Sequence, residues 1–370
     1  MNRIYDFIVV GGGISGASFS FNLDKNYSIL VLEKSEFPRE KLCGGLLTGK
    51  TIKLLKEIYG NDEITKVINN YISSYSIFND KLELLSKKES NKLDLCLSKR
   101  IDLDNFMYEQ IKNKENINII NSEVINVKGK KVETKKGIFY GKSIIFCDGA
   151  NGYGVKLNKK INKQFISGLK VDLDKKKFNI NGYDNHLEIY FNKKIKGYIW
   201  IFSYSDIINI GIGGNSGPEL SNLLVDFIKN KFNLSQDEYK IKGHPVPINN
   251  FGKKIKIGNY YFLGDSIGFV DAITGEGIYY GIKSGYKLAK LFNKGFFFAE
   301  SFYYLYFLND ILNIKISHLL KDILFGKKYD ILINKLKNNT QLTNIFHNIM
   351  VLNIPYFLIP FHKLFSKIFK

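Results

Sequence analysis

The sequence predicts an α/β fold in which a parallel sheet carries an inserted antiparallel sheet and is followed by a helical C-terminal region. Residues 6–33 read as strand, glycine turn, helix and strand, which is typical of a parallel sheet with crossover helices. Residues 185–191 and 197–214 alternate like antiparallel strands, and residues 300–370 are rich in Phe, Tyr, Ile, Leu and Lys. A chain of 370 residues has room for two or three subdomains.

The first glycine turn carries a nucleotide-binding pattern. Ile8–Val10 form a β-branched run, as in a strand buried on both faces, and Gly11, Gly13 and Gly16 then complete a GxGxxG motif. Glu33 ends the next strand, where a carboxylate accepts hydrogen bonds from a ribose. Because Glu33 has no basic partner, it favours FAD or NAD over NADP. A glycine loop that binds no nucleotide is the alternative.

A second pattern, in residues 259–285, favours FAD over NAD. A strand over 260–263 ends in Gly264 and Asp265, and an extended loop leads to Gly277 at the start of a helix. Asp265 is placed to bind ribityl hydroxyls, and the amides and positive dipole at Gly277 and Ile278 to face the flavin N1 and O2. The two patterns together predict a Rossmann-type FAD-binding domain of the glutathione-reductase-like kind.

Five separated stretches between residues 6 and 285 match one family in the same order. They are the glycine motif through Glu33, "PREKLCGG", "KRIDLDNFM", "IIFCDGANG" and the segment from Gly264 to Ile278. In these stretches the chain resembles the FAD-dependent oxidoreductases of the geranylgeranyl reductase family, within the p-hydroxybenzoate hydroxylase-like class of flavoproteins. Gly152 stands where the class usually has Ser, and Cys147 where Ala is common; we expect both to affect local packing only.

The resemblance implies a set of cofactor-binding residues. Arg100, which keeps the family's R-x-x-x-D spacing to Asp104, would contact the FAD pyrophosphate or ribose; the alternative is a surface cation at the start of a helix over 102–111. The backbone at Val124 would flank the adenine. The full predicted set is Gly11, Gly13, Ser15, Gly16, Glu33, Lys34, Cys43, Gly44, Gly45, Arg100, Val124, Asp148, Gly149, Asp265, Gly275, Gly277 and Ile278.

The predicted catalytic residues are Cys43, Tyr198 and Trp200. In the family the "CGG" loop runs beside the isoalloxazine ring, so Cys43 would face the substrate, where a thiol either relays a proton or fills space. A reactive thiol needs a basic neighbour, for which Arg39 and Lys41 are the candidates. Tyr198 and Trp200, with Phe202 on the same strand face, either line a channel for an apolar substrate or form plain core.

The predicted domain division is discontinuous. Residues 1–75, 97–159 and 251–299 form the FAD-binding domain, residues 76–96 and 160–250 the substrate domain, and residues 300–370 the helical C-terminal region. His244 is interpreted as a loop residue, and the alternative is that it reaches the active site. Residues 211–217, "GIGGNSG", resemble a second dinucleotide motif but lack the strand–turn–helix context, so no nicotinamide domain is expected.

The expected function is reduction of carbon–carbon double bonds of a prenyl or other apolar substrate by hydride transfer from flavin N5. The electrons would come from an external donor, either NAD(P)H, ferredoxin or reduced flavin. One alternative is a monooxygenase or halogenase of the same fold, although "YIWIFS" has one Trp and no Pro where halogenases usually carry W-x-W-x-I-P. The other alternative is a flavin-binding adaptor without turnover.

Charge and cysteine content give the remaining expectations. The net charge of +19 comes from lysines spread along the chain, so we expect no nucleic-acid partner but a favourable field for an anionic substrate or membrane surface. Three cysteines without paired or metal-ligand spacing, and an N-terminus without a signal peptide, indicate a cytoplasmic protein that binds no metal. The C-terminal tail either packs over the substrate channel, contacts an anionic membrane face through Lys363, Lys367 and Lys370, or forms plain core packing.

Overall fold

The computed structural model describes residues 3–89, 95–158, 164–215, 217–248 and 255–339, together with residues 343, 348 and 356. The strands of these residues are β1 (Ile4–Val10), β2 (Ile29–Glu33), β3 (Leu46–Thr48), β4 (Asn70–Tyr71), β5 (Ser74–Phe78), β6 (Leu84–Glu89), β7 (Leu95–Leu97), β8 (Ile117–Asn121), β9 (Val124–Lys128), β10 (Lys131–Thr134), β11 (Gly137–Phe146), β12 (Gln164–Asp174), β13 (His186–Asn192), β14 (Gly197–Ser203), β15 (Ile207–Asn215), β16 (Lys242–Ile248), β17 (Lys256–Ile257) and β18 (Tyr260–Phe262). The helices are α1 (Ile14–Asn22), α2 (Gly49–Tyr59), α3 (Asn61–Thr65), α4 (Arg100–Lys112), α5 (Tyr153–Leu157), α6 (Pro218–Phe232), α7 (Ile278–Phe292), α8 (Phe296–Leu324) and α9 (Tyr329–Asn338).

The first large sheet has a parallel centre in the order β18-β11-β1-β2-β8. Phe7, Ile8 and Val9 in β1 and all of β2 are buried, as the continuous apolar runs predict for strands covered on both faces. β17 pairs antiparallel with β18, and the β9–β10 hairpin adds antiparallel strands beside β11. The carboxyl ends of β1, β2 and β11 therefore share one edge of this sheet.

Helices α1 and α7 are held together by small residues. A Cβ atom at Gly285 would lie 2.4 Å from the carbonyl oxygen of Ser15, and one at Gly281 would lie 3.1 Å from the Ser15 hydroxyl. The Ser18 hydroxyl donates a 2.8 Å hydrogen bond to the carbonyl of Ile282. Because larger residues would separate the helices, these contacts keep the first turns of α1 and α7 side by side.

The second large sheet has the order β16-β12-β15-β14-β13-β5-β6 and is antiparallel except for the β13–β5 pair. The alternation in β14 separates its two faces: Ile199 and Ile201 pack with helix α6, whereas Tyr198, Trp200 and Phe202 lie in a different apolar cluster. The sequence-predicted boundary at residue 76 cuts through β5. We therefore propose that the substrate domain begins at residue 74, because all of β5 pairs with β13.

The C-terminal part of the described chain is helical. Helix α8 packs on α7, and the Ser317 hydroxyl in α8 accepts a 3.0 Å hydrogen bond from the amide of Ala272, which fixes α8 against the loop before α7. Among the described residues no helix is both long and apolar enough to cross a bilayer. The membrane contacts predicted for Lys363, Lys367 and Lys370 lie outside the described residues.

Candidate active site

Two adjoining cavities share part of their lining. The first, which we call the cleft, has a volume of about 920 Å³ and follows the carboxyl ends of β1, β2 and β11. The second, which we call the chamber, has a volume of about 200 Å³ and lies against the aromatic face of β14. Six residues line both cavities and mark the junction between them: Ile14, Lys41, Leu42, Arg100, His244 and Asp265.

The predicted cofactor-binding residues divide between the cavities. Those lining the cleft are Gly11, Gly13, Ser15, Glu33, Lys34, Arg100, Val124, Asp148, Gly149 and Asp265. Those lining the chamber are Cys43, Gly44, Gly45, Arg100, Asp265, Gly275, Gly277 and Ile278. Gly16 lines neither cavity but is required by packing, because a Cβ atom there would lie 2.0 Å from the Gly11 carbonyl oxygen.

The glycine turn brings the backbone close to the cleft. Gly11 has a φ of +101°, and a Cβ atom on it would lie 2.5 Å from the carbonyl oxygen of Cys147. Gly13 is the N-cap of α1 and provides no side-chain cap, so the first amides of this helix are free to bind an anion. Glu33 is fixed nearby, since its two carboxylate oxygens accept hydrogen bonds from the amides of Gly12 (2.8 Å) and Ser35 (2.9 Å).

Arg100 is a buried cation rather than a surface one, so the alternative interpretation of this residue is wrong. Its guanidinium donates two hydrogen bonds to Asp104, at 2.6 and 2.8 Å. Burial opposes the charge, but Asp104 outweighs burial and raises the pKa of Arg100, which therefore remains cationic. The R-x-x-x-D spacing thus places the two side chains one helical turn apart and fixes the guanidinium at the junction.

Asp148 lies two residues beyond the end of β11, beside the N-terminus of the short helix α5. Its Oδ2 accepts a 2.8 Å hydrogen bond from the amide of Gly154, and a Cβ atom at Gly152 would lie 2.1 Å from the Asp148 carboxyl carbon. The glycine that replaces the family's Ser therefore leaves the space that this carboxyl group occupies. Burial raises the pKa of Asp148 to about 6, although the hydrogen bond from Gly154 lowers it.

The junction carries a compact group of charges. The ammonium of Lys41 lies 2.9 Å from Oδ2 of Asp265. Burial alone would raise the pKa of Asp265, but Lys41 and Arg100 outweigh it and hold the pKa below its usual value, so this carboxylate is ionised at neutral pH. His244 lies on β16 and not in a loop, which corrects the sequence interpretation, and burial together with Lys41 lowers its pKa.

The residues of the cleft fit a flavin nucleotide. Among the described residues, the buried Arg39 Nε and Asp148 Oδ1 atoms have no protein partner, and both residues line the cleft. A free helix N-terminus, Arg39 and Arg100 suit a pyrophosphate, and the fixed Glu33 suits a ribose. Asp265 and the first turn of α7 lie at the inner end, where the cleft meets the chamber.

The "CGG" loop forms one wall of the chamber. The Cys43 sulfur accepts a 3.4 Å hydrogen bond from the amide of Gly45, and the Tyr204 hydroxyl donates to the Gly44 carbonyl at 2.8 Å. A Cβ atom at Gly44 would lie 2.7 Å from the ring of Phe202, so only glycine permits this close approach.

The expected basic neighbours of Cys43 are bound elsewhere. Lys41 pairs with Asp265, and Arg39 approaches Asp104 at 3.8 Å. Arg100 instead interacts electrostatically with Cys43. The prediction that Arg39 or Lys41 activates the thiol is therefore not supported by the contacts, and Arg100 is the cation that the structure brings to Cys43.

Tyr198, Trp200 and Phe202 line the chamber as a continuous aromatic surface, with neighbouring ring centroids 6.0 Å apart. The polar atoms of the first two are occupied: the Tyr198 hydroxyl donates to the carbonyl of Thr274, and the Trp200 indole donates to Asn209 at 2.8 Å. Burial raises the pKa of Tyr198 above its usual value. Because their polar hydrogens are already used in these hydrogen bonds, Tyr198 and Trp200 are better suited to form an apolar wall than to transfer a proton.

Glu276 is a chamber residue that the sequence analysis did not select. Its Oε1 accepts hydrogen bonds from the hydroxyls of Thr48 and Thr51, both at 2.9 Å, and its Oε2 lies 3.6 Å from the ammonium of Lys50. Burial raises the pKa of Glu276 even though Lys50 opposes this, and burial lowers the pKa of Lys50. The "GEG" sequence places this carboxylate just before α7 in the chain. Its partners lie on β3 and α2, so their contacts with Glu276 depend on tertiary packing and cannot be read from the local sequence.

Two further chamber features were missed. Gly211, inside the "GIGGNSG" segment, makes room for the indole, because a Cβ atom there would lie 2.0 Å from Trp200. Residues 211–215 of this segment belong to the antiparallel strand β15. Lys321 on α8 also lines the chamber and is buried, whereas a lysine within a helical pattern predicts exposure.

No family model matches the chain. Among curated proteins it is similar to the digeranylgeranylglycerophospholipid reductase of Methanococcus vannielii, with 28% identity over 319 residues that cover 75% of this chain and 74% of the relative. This similarity supports the resemblance drawn from the five separated sequence motifs.

Solved structures share the fold over nearly the whole chain. A geranylgeranyl bacteriochlorophyll reductase-like protein from Thermoplasma acidophilum has a TM-score of 0.70 and 20% identity, with 92% of this chain and 93% of that chain covered. A probable FAD-dependent monooxygenase from Pseudomonas aeruginosa has a TM-score of 0.70 and 16% identity, with 93% and 100% covered. The similarity to this relative, the shared fold and the glycine-lined cleft together support a flavin-dependent oxidoreductase of the geranylgeranyl reductase type.

Proposed function

We propose that the protein binds FAD in the cleft and reduces carbon–carbon double bonds of a prenyl or other apolar chain held in the chamber. The observation that carries this proposal is the junction, where Asp265 and Arg100 line both cavities and the aromatic face of β14 lies opposite the "CGG" loop. An apolar reactant in the chamber would therefore lie next to the inner end of the cleft, where the two cavities meet. The name of the methanogen relative, a reductase of a prenylated lipid, agrees with this substrate class.

The residues of the chain bind and orient the reactants. The α1 amides, Arg39 and Arg100 would hold the pyrophosphate, Glu33 the ribose, and Asp265 the ribityl chain. Bound and reduced, the flavin supplies a hydride equivalent, and the second hydrogen must arrive as a proton. The wall of Tyr198, Trp200 and Phe202 would exclude water from the double bond.

Cys43 is the proposed proton donor to the carbon that does not receive the hydride. Cys43 lines the chamber, and the hydrogen bond that its sulfur accepts from the amide of Gly45 is weak, at 3.4 Å. Tyr198 and Trp200, predicted from the sequence as catalytic, would position the substrate instead, because their polar hydrogens are committed to Thr274 and Asn209. After donation the thiolate would recover its proton from solvent.

Oxygen chemistry is the second candidate function, because a probable FAD-dependent monooxygenase shares the fold of this chain. Halogenation on this fold would need a lysine at the far end of a tunnel from the flavin, and Lys321 is a lysine in the chamber wall. The two functions differ in their products: reduction adds two hydrogen atoms to each double bond without consuming oxygen, whereas hydroxylation adds an oxygen atom and halogenation a halogen atom.

The proposal is tested by incubating dithionite-reduced, FAD-loaded protein with geranylgeranyl phosphate, once under argon and once in air with bromide. We expect the argon sample to contain product heavier by two hydrogen atoms per reduced bond. Oxygenated or brominated product formed only in air, with unchanged substrate under argon, would replace the reductase function by oxygen chemistry. Unchanged substrate in both samples would favour the flavin-binding adaptor.

We also propose peripheral contact with an anionic bilayer through α8. This helix exposes large apolar side chains along its length, among them Phe297 (74% exposed), Leu305 (67%) and Leu319 (65%). A net charge of +19 favours anionic over neutral lipid.

The proposal also includes an external electron donor, either NAD(P)H, ferredoxin or reduced flavin, because the reaction consumes two electrons for each double bond that is reduced.

A further inference from the structure

The chamber wall contains a buried cation that the proposed reaction does not use. Lys321 is 6% exposed, lines the chamber, and forms no ion pair with any residue that the structure describes. Burial lowers the pKa of its ammonium, Lys196 lowers it further, and Asp322 offsets only part of this. An uncompensated buried lysine is costly, so its position in a ligand cavity points to a missing anion.

The other lysines of the chamber show that the lack of a partner is selective. Lys41 pairs with Asp265 and Lys170 with Asp172, each at 2.9 Å. Lys196, by contrast, is exposed at the rim and has no ion pair among the described residues. Both Lys196 and Lys321 line the chamber, and the two ammonium groups interact electrostatically.

This cationic end lies far from the "CGG" loop. Lys196 immediately precedes β14, and Phe202, near the other end of that strand, lies against Gly44. Six residues of extended strand span about 20 Å. The chamber wall between the ends is apolar and aromatic, formed by Tyr198, Trp200 and Ile273 among others.

We propose that Lys321 and Lys196 bind the anionic headgroup, a phosphate or a carboxylate, of an amphiphilic substrate whose hydrocarbon chain runs along β14 toward Gly44. This inference rests on the proposed function for the identity of the chain as substrate. It adds a direction: the headgroup lies at the end remote from the cofactor cleft, so the double bonds distant from the headgroup reach the junction.

The test is a binding measurement on the FAD-loaded protein, by calorimetry and by the fluorescence of Trp200, the single tryptophan of the chain. The probes are farnesyl phosphate, farnesoate and the neutral farnesol. Lys321→Met keeps the volume of the side chain and removes its charge. Lys315→Met is the matched control, because Lys315 is exposed on the same helix and lines neither cavity.

We expect Lys321→Met to weaken at least one anionic probe about tenfold or more while changing farnesol binding less than about twofold. The anionic probe whose affinity falls identifies the headgroup as a phosphate or a carboxylate. Lys315→Met should leave the affinities of all three probes unchanged. Thermal unfolding should show no loss of stability in Lys321→Met, since the substitution removes a buried charge.

Equal losses for farnesol and both anions, or no loss for either anion, would overturn the headgroup site. Because the measurement needs no turnover, it separates this inference from the proposed function. If Lys321→Met weakens the binding of an anionic probe but the protein reduces no double bond, the headgroup site stands and the proposed reaction is wrong. If the protein reduces double bonds and Lys321→Met has no effect, the proposed reaction stands and the headgroup site is wrong.

Discussion

Cys43 is the residue whose chemical role is simplest to isolate, because it lines the chamber and not the cleft. If the thiol donates the proton, Cys43→Ala should leave flavin reduction intact and slow reoxidation by a prenyl substrate about 10²- to 10⁴-fold. Cys43→Ser should be intermediate. Anaerobic stopped-flow absorbance of the flavin measures this rate, and a Cys43→Ala rate within a few fold of wild type would remove the thiol from the mechanism.

Asp265 should dominate cofactor affinity among the junction residues. Asp265→Ala deletes a carboxylate that Lys41 and Arg100 keep ionised, and it leaves both cations without this partner. We expect weaker FAD binding by on the order of 1–3 kcal/mol, measured by flavin fluorescence titration. Asp206→Ala is the control, since Asp206 forms an exposed pair with Lys99 and lines neither cavity. Equal affinities for the Asp265 and Asp206 variants would contradict the assignment.

Asp148 should make stability depend on pH. Its pKa of about 6 in the folded protein lies above the ordinary value of 3.8, so the folded state holds its proton more strongly than the unfolded state. The stability contribution of Asp148 is therefore lost as pH rises from about 4 to about 6. Asp148→Asn cannot ionise, so its Tm relative to wild type should be higher at pH 7.5 than at pH 4.5 by about 2–4 °C. A Tm difference independent of pH would show that the carboxyl group has no raised pKa.

At the scale of elements, the "CGG" loop should tolerate a side chain less well than an ordinary glycine turn. Gly45 has a φ of +78°, and a Cβ atom on it would lie 2.1 Å from the Tyr204 hydroxyl and 2.4 Å from the Ser98 carbonyl oxygen. Gly129 has a similar φ of +62° but no atom within 4 Å of such a Cβ. Gly129→Ala thus measures left-handed strain alone, about 1–2 kcal/mol. Denaturant unfolding should show a larger loss for Gly45→Ala, and equal losses would mean that the loop yields without cost.

The sequence predicted those elements whose geometry depends on residues close together in the chain. The turn from Gly11 to Gly16, the first turn of α7 and the R-x-x-x-D pair are each read within a few residues of one another, because their geometry depends on backbone conformation and helical spacing. The alternation of β14 likewise gave its aromatic face correctly. Residues of this kind need no knowledge of how distant segments pack.

The remaining site residues depend on pairing between distant segments. His244 faces the junction only because β16 pairs with β12, and Gly211 admits the indole of Trp200 only in the observed β14–β15 register. Lys321 follows the pattern of an exposed helical lysine, and the packing of α8 over the chamber buries it. Arg39 and Lys41 are near Cys43 in sequence, but their ion pairs are formed with Asp104 and Asp265, which come from distant segments.

For the whole molecule, the exposed apolar face of α8 predicts reversible binding to anionic bilayers. The full chain should float with vesicles that contain about one-third anionic lipid and remain in solution with zwitterionic vesicles, because apolar burial and charge attraction are both needed. Replacing Phe297 and Leu305 by Ser should abolish flotation, whereas Ile331→Ser on α9, also exposed, should not. Flotation unchanged by the α8 substitutions would assign membrane binding to another surface.

The most direct test of the account is the stoichiometry of a single anaerobic turnover. FAD-loaded protein, reduced and freed of excess reductant, is mixed with geranylgeranyl phosphate while flavin absorbance and substrate mass are followed together. The account predicts one oxidised flavin for each double bond lost, with two hydrogen atoms gained by the product. Flavin that stays reduced under argon, or that is oxidised without hydrogen appearing in the lipid, would contradict it.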